Sequence, residues 1–297
     1  MVNHHFAKFA DVWKHLVLTE VLHSERPAHY GETHAGSAVN PMVEDPERTF
    51  GIGTFLTATG RVEALAASRY RVILERFGNA RAWYPGSPAL AMTELENDCS
   101  YLFCDRDPEN AADLHSWAAQ AGVRRVEVRL GDGIAGVGSW LAGVPGHAVA
   151  SQGVLVHVDP FDPYESGQDG RSALDLVAEV IASGHALVYW YGYDRPERAW
   201  WPYHELALSE AAPVWCGDVM VLDADGEARG HPERPGDLGR ATTPGTGSGV
   251  LLANVSPAAV SACELLGRAL ELSYAGATLP DGSPGGIRFG SRGDPAV

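Results

Sequence analysis

Short apolar runs that stop at an acidic residue recur along this chain. Ser100 to Cys104 ends at Asp105, Val126 to Leu130 at Gly131-Asp132-Gly133, and Val154 to Val158 at Asp159-Pro160. Helical patterns separate them, over about Glu109 to Ala121, Ile134 to Leu141 and Ala173 to Ser183, and Ala186 to Tyr189 supplies one more strand. Short apolar strands that alternate with helices pair in parallel, in a sheet covered on both faces. Ligands of such sheets bind beyond the carboxyl ends of the strands. Those ends therefore hold the candidate site.

Upstream, Phe9, Val12, Trp13, Leu16, Val17 and Val21 recur at helical spacing and mark an opening amphipathic helix with polar residues on its other side. His29 to Thr33 then runs into His34-Ala35-Gly36-Ser37. Asn40 to Phe55 reads as irregular, Arg61 to Phe77 as a helix, and Tyr84-Pro85-Gly86-Ser87-Pro88 as turn chemistry. Val219 to Leu222 and Gly249 to Asn254 read as two late strands, paired like a hairpin across a long Gly/Pro-rich loop. The segment from Ala277 to Val297 reads as a tail. The organisation expected is one α/β domain over residues 1–276, followed by that tail.

Lys plus Arg number 22 against 38 Asp plus Glu, a net charge of −16. That balance gives no help in binding a polyanion, because nucleic-acid affinity rests on cationic contacts to phosphate. Met1 to Phe9 has no apolar signal core, and no run approaches the ~20 apolar residues that span a bilayer. The expectation is a cytoplasmic protein without a membrane partner. Cys99, Cys104, Cys216 and Cys263 form no C-x-x-C pair and read as reduced thiols. No H-E-x-x-H occurs and His4 and His5 are adjacent, so no metal site is expected.

Four polar clusters fall at strand ends: Glu32-Thr33-His34-Ala35-Gly36, Asp105, Asp132-Gly133 and Asp159-Pro160. This is the layout of a nucleoside-bearing cofactor site. A small Gly/Ala turn admits the ligand, one acidic residue accepts from ribose hydroxyls, and another faces a base amino group. Gly131-Asp132-Gly133-Ile134-Ala135-Gly136 has the G-x-G-x-x-G spacing, but it follows the third strand-like run, Val126 to Leu130, instead of the first, which disfavours a classical dinucleotide site. No G-x-x-x-x-G-K-[ST] occurs, which disfavours a P-loop. Read alone, Lys14 and His15 fit a solvated helix face equally well, His34 a structural histidine, and Ser87 a turn residue. Trp190 fits the core; Tyr191, Trp200 and Trp201 fit either the core or a stacking wall.

Taken in order, Ala10-Asp11-Val12-Trp13-Lys14-His15, Thr33-His34-Ala35-Gly36, Tyr84-Pro85-Gly86-Ser87-Pro88 and an Asp-Pro…Pro-Tyr-Glu box at Asp159 to Glu165 resemble the RlmJ family of 23S rRNA adenine-N6 methyltransferases. Ala186 to Tyr191 and Gly247 to Asn254 extend the resemblance over nearly the whole chain. It implies a class I S-adenosylmethionine (SAM) methyltransferase fold, with a Rossmann-like seven-stranded sheet, an antiparallel last strand and a helical insertion at about Val39 to Arg81. It further implies that Lys14, His15, His34 and Ser87 contact the methionine part of SAM. By the same resemblance Asp105 binds the ribose, Asp132 and Gly133 hold the adenine edge, and Asp159 is the catalytic carboxylate.

Two departures bear on the substrate. The family's Asp-Pro-Pro-Tyr reads Asp159-Pro160-Phe161-Asp162-Pro163-Tyr164 here, so either Asp159 or Asp162 aligns and neither register is intact. Phe161 or Tyr164 is left to supply the stacking surface that an extruded base needs. The family's N-terminal Tyr, associated with substrate entry, has no counterpart, and its Asn-His is Lys8-Phe9. The expected function is SAM-dependent methylation of an amine, on rRNA adenine N6 or on a small molecule. The alternative is a small-molecule SAM enzyme of secondary metabolism. Its chemistry includes intramolecular displacement that releases methylthioadenosine and a cyclic amino acid such as azetidine-2-carboxylate. A third reading is a non-catalytic SAM-fold scaffold.

Overall fold

The computed structural model describes residues 6–144, 153–160, 166–207, 214–229 and 246–293. The chain opens with helix α1 (Phe9–Glu25), strand β1 (His29–Glu32) and the short strand β2 (Val39–Pro41). Four short helices follow: α2 (Pro46–Arg48), α3 (Thr54–Thr59), α4 (Glu63–Ala67) and α5 (Arg69–Arg76). Then come β3 (Trp83–Pro85), α6 (Ser87–Leu95), β4 (Ser100–Asp105), α7 (Pro108–Ala121), β5 (Val126–Leu130), α8 (Gly133–Leu141) and β6 (Val154–Val158). The C-terminal part holds α9 (Ala173–Ala182), β7 (Ala186–Tyr193), α10 (Trp201–Ala207), β8 (Val214–Leu222), β9 (Gly247–Ala253), α11 (Pro257–Tyr274), β10 (Ala277–Thr278) and β11 (Pro284–Arg292).

One sheet runs β10-β11-β8-β9-β7-β6-β1-β4-β5. Strands β7, β6, β1, β4 and β5 are mutually parallel. Strand β9 is antiparallel to both β7 and β8. The seven strands β5 to β8 therefore have the order and the single reversed strand of the Rossmann-like class I SAM-methyltransferase sheet. Strands β10 and β11 continue the sheet from Ala277 onward, so the stretch expected as a tail is structural.

Core packing falls on the two sheet faces. Side chains of α1, α6 and α11 pack on one, among them Trp13, Leu16, Leu90 and Leu266. Those of α8 and α9 pack on the other, among them Val137, Leu176 and Val180. Helix α1 departs from the amphipathic expectation, since its polar residues Lys14, His15 and Thr19 are buried with its apolar ones. It lies wedged among α5, α6, α11 and the sheet, and leaves no solvated face at these positions. The insertion expected at 39–81 is present, but its second half is two helices. Ser68 is extended (φ −60°, ψ 145°) and caps α5 by accepting from the Arg71 amide at 3.3 Å.

Close approaches position the strand ends. A Cβ on Gly133, at the start of α8, would lie 1.6 Å from the Thr33 carbonyl oxygen. Only glycine lets this helix start meet the end of β1.

Candidate functional site

A cleft of about 350 Å³ opens at the carboxyl ends of β1 and β6. Of the residues that sequence reasoning singles out, Lys14, His15, His34, Ser87 and Asp159 all line it. Lys14 lies on α1, His34 follows β1, Ser87 starts α6 and Asp159 follows β6.

Lys14 is the centre of charge. Its Nζ donates to Asp159 Oδ2 at 2.7 Å and lies 3.0 Å from Asp11 Oδ1, one helical turn away. Asp11 Oδ2 in turn accepts from the Ala7 amide at 2.8 Å. The Trp190 ring centroid is 5.5 Å from the same ammonium, so Trp190 borders the site and is more than core filling. Burial alone would lower the Lys14 pKa, but the two carboxylates outweigh it and raise it. Burial would likewise raise the Asp159 pKa, yet Lys14 and His157 hold it below the usual carboxylate range. The pair is thus ionised at neutral pH.

The floor of the cleft is a second polar layer. Glu32, fully buried at the end of β1, accepts from Ser87 Oγ at 2.5 Å and from the Tyr30 hydroxyl at 3.0 Å. His157 Nδ1 lies 3.0 Å from Glu32 Oε1. A carboxylate with three partners at such distances is satisfied in spite of its burial. His15 Nδ1 is 2.9 Å from the Tyr84 hydroxyl, which is 2.8 Å from that of Tyr70. Burial, then Lys14 and His157, push the His15 pKa well down, so its imidazole is neutral at pH 7. His34 Nδ1 is 2.8 Å from Thr33 Oγ1.

The remaining candidates lie outside this cleft. Asp105 sits behind Gly36, accepting from its amide at 2.7 Å, from the Asp107 amide at 2.8 Å and from Asn110 Nδ2 at 3.1 Å. About one of its four acceptor positions stays free. Asp132 caps α8 through the Ala135 amide (2.9 Å) and also accepts from Arg106 (2.6 Å) and the Gln168 amide (3.1 Å). Phe161, Asp162 and Tyr164 lie outside the described residues.

Sequence reasoning passed over Asp11, Phe6 and Asn40, which also line the cleft. Asp11 was open to detection, since it stands three residues before Lys14 on one helix face. Phe6 and Asn40 carry no periodic signal. Phe6 stacks on Tyr84, ring centroids 6.1 Å apart, with the Arg48 guanidinium over it at 4.2 Å. Among the described residues no three or more His, Cys, Asp or Glu side chains are grouped to hold a metal ion. No helix there is long and apolar enough to cross a membrane. All four cysteines are buried free thiols.

The donor set fits SAM. One ammonium, neutral donors and acidic acceptors line the cleft, as a zwitterionic ligand needs, and Asp105 keeps an acceptor position on the far side of Gly36. No protein-family model matches the chain, and no curated protein sequence does. Among solved structures it resembles protein LPL1258 of Legionella pneumophila, described with family model DUF519. The TM-score is 0.68 at 18% identity, over 97% of this chain and 98% of that one. A SAM-dependent methyltransferase from Agrobacterium tumefaciens aligns with a TM-score of 0.39 at 12% identity, over 82% of this chain and 60% of that one. Strand order and the reversed β9 give the sheet of the class I SAM-methyltransferase fold, and the near full-length match shows that the chain shares the fold of LPL1258.

Proposed function

We propose that the protein is a SAM-dependent methyltransferase acting on the amine of a small molecule. The observation that carries this reading is the convergence of Lys14, His34, Ser87 and Asp159 on one cleft at the strand ends. When bound, SAM supplies a methyl group already activated on a sulfonium sulfur. The protein's task is then alignment of the acceptor at near-attack distance.

Lys14, His15, His34 and Ser87 hold the amino-acid end of the cofactor. Asp105 takes the ribose, and Asp132 with Gly133 the adenine edge. Asp159 accepts a hydrogen bond from the acceptor N–H and so aims the nitrogen lone pair. Because Lys14 keeps it ionised, Asp159 orients the acceptor more than it deprotonates it. Phe161 and Tyr164 remain candidates for stacking on the acceptor, with Asp162 the second carboxylate of that segment. The cleft's formal charges, Asp11 and Asp159 against Lys14, sum to an excess of negative charge. This favours an amine metabolite over an rRNA adenine.

Incubation with methyl-tritiated SAM and a panel of amines, beside 23S rRNA fragments, tests the reading. Label should pass to an amine, and Asp159→Asn should slow transfer by ~100-fold or more. Release of methylthioadenosine from SAM alone, label in rRNA only, or no transfer at all would overturn it.

A further inference from the structure

Nearly every polar side chain that lines the cleft already has a partner. Asp11 and Asp159 hold Lys14, His15 meets Tyr84, and His34 meets Thr33. Ser37 donates to Asn110 at 2.8 Å and Ser87 to Glu32. Asn40 is the exception. It is 7% exposed, and among the described residues its side-chain amide makes no hydrogen bond. A cleft-lining amide that no protein group occupies is left to bond to what enters the cleft.

The backbone around Asn40 is fixed. It stands opposite Tyr84 in the β2–β3 ribbon, and both residues line the cleft. The Ala38 amide donates to Asp113 at 2.8 Å, and the Gly86 amide to the Ala38 carbonyl at 2.8 Å. A Cβ on Gly86 would lie 2.4 Å from the Ser37 carbonyl oxygen, so the ribbon and the start of α6 are locked together. The backbone that carries the amide therefore needs little rearrangement on binding.

Charge decides what it binds. Lys14, the cleft's ammonium, is already neutralised by two carboxylates. An incoming carboxylate therefore needs a neutral donor, and an amide presents two N–H groups without adding charge. An incoming ammonium needs none, since the Asp11 carboxylate also lines the cleft.

We infer that Asn40 donates to the carboxylate of the cofactor's amino-acid moiety and selects for that carboxylate. The inference rests on the SAM reading above. The test is calorimetric binding of SAM and of decarboxylated SAM to the wild type, Asn40→Ala and Asn40→Asp. Unchanged thermal midpoints serve as the folding control. Asn40→Ala should weaken SAM roughly tenfold or more, the loss expected for a hydrogen bond to a charged group. Decarboxylated SAM should weaken by less than about twofold. Asn40→Asp should weaken SAM further than alanine does, by adding repulsion.

Equal losses for both ligands, no loss for SAM, or an aspartate variant that binds SAM like the wild type would overturn the inference and leave the SAM reading standing. If the wild type binds SAM in no condition, the SAM reading itself fails, and the inference with it.

Discussion

His15 is buried against Tyr84 beside Lys14, and its imidazole stays neutral in the fold where the unfolded chain takes a proton near pH 6.5. A depressed folded value means that the unfolded state binds more protons below that pH. Stability then falls as pH falls, at a limiting slope of about 1.4 kcal/mol per unit. His15→Gln removes the titration, so its urea stability relative to wild type should improve by about 1–2 kcal/mol between pH 7 and pH 5. Parallel curves would mean that His15 is not held neutral. Asp218 on β8 works the other way. Burial pushes its carboxyl up to about 7, with Tyr193 and Arg288 offsetting part of the effect. Its Oδ2 has no hydrogen-bond partner among the described residues, and its strand neighbours are Gly249 and Gly290. A raised value means that stability is full below the ordinary carboxylate pKa and is lost as pH rises through about 7. Asp218→Asn should therefore gain on wild type from pH 4 to pH 8, by something on the order of 3 kcal/mol in urea denaturation. A flat difference would contradict it. Lys14, His34, Ser87 and Asp159 were legible in the sequence because each sits in a short motif that carries the family resemblance, the last three at an element's end. Asp218 and Asn40 were not, because their burial comes from strands that are distant in the chain.

Strand β11 shows why the end of the chain was misread. Pro284, Gly285, Gly286 and Gly290 look like linker composition, yet the strand accommodates the proline and close packing requires two of the glycines. Proline is tolerated as the first residue of a strand. A Cβ on Gly285 would lie 2.4 Å from the Leu222 carbonyl oxygen, and one on Gly290 would lie 3.1 Å from the Trp200 ring. Phe289 turns inward onto Trp13 (centroids 5.5 Å apart), and Gly267 of α11 leaves room for its ring. Phe289→Ala should cost about 3–4 kcal/mol in chemical denaturation. Deletion from Ala277 onward should abolish cooperative unfolding, whereas a dispensable tail would leave the midpoint unchanged. The parallel strands were legible for the opposite reason. They are apolar throughout, as strands covered on both faces must be. Helix α6 was missed because Tyr-Pro-Gly-Ser-Pro reads as a turn, although its second proline falls in the helix's first turn, where no N–H is needed. The break at Ser68 was missed because Val62, Leu65, Val72 and Ile73 keep helical spacing across it.

At the scale of the whole molecule, the −16 charge and its distribution bear on the acceptor. Lys8 and Lys14 are the chain's two lysines. Lys14 is committed inside the cleft, and Lys8 pairs with Glu47. The helical insertion carries six arginines between residues 39 and 81, and four of them are paired. Arg48 pairs with Asp45, Arg69 with Glu94, Arg71 with Glu75 and Arg76 with Glu96. A phosphate track would have to break these pairs and then work against the long-range field of the remaining carboxylates. Polyanion affinity grows with the number of phosphates neutralised, and each contributes about 0.9 to the salt slope on duplex and about 0.7 on single strands. With four of the insertion's arginines paired and a net charge of −16, an rRNA hairpin should bind no tighter than ~10⁻⁴ M at ~0.15 M salt, with a slope shallower than about −2. Fluorescence anisotropy over a salt series measures both quantities. A micromolar affinity with a slope steeper than about −4 would reveal a basic surface that pairing and net charge do not predict, and would return rRNA to the position of preferred acceptor.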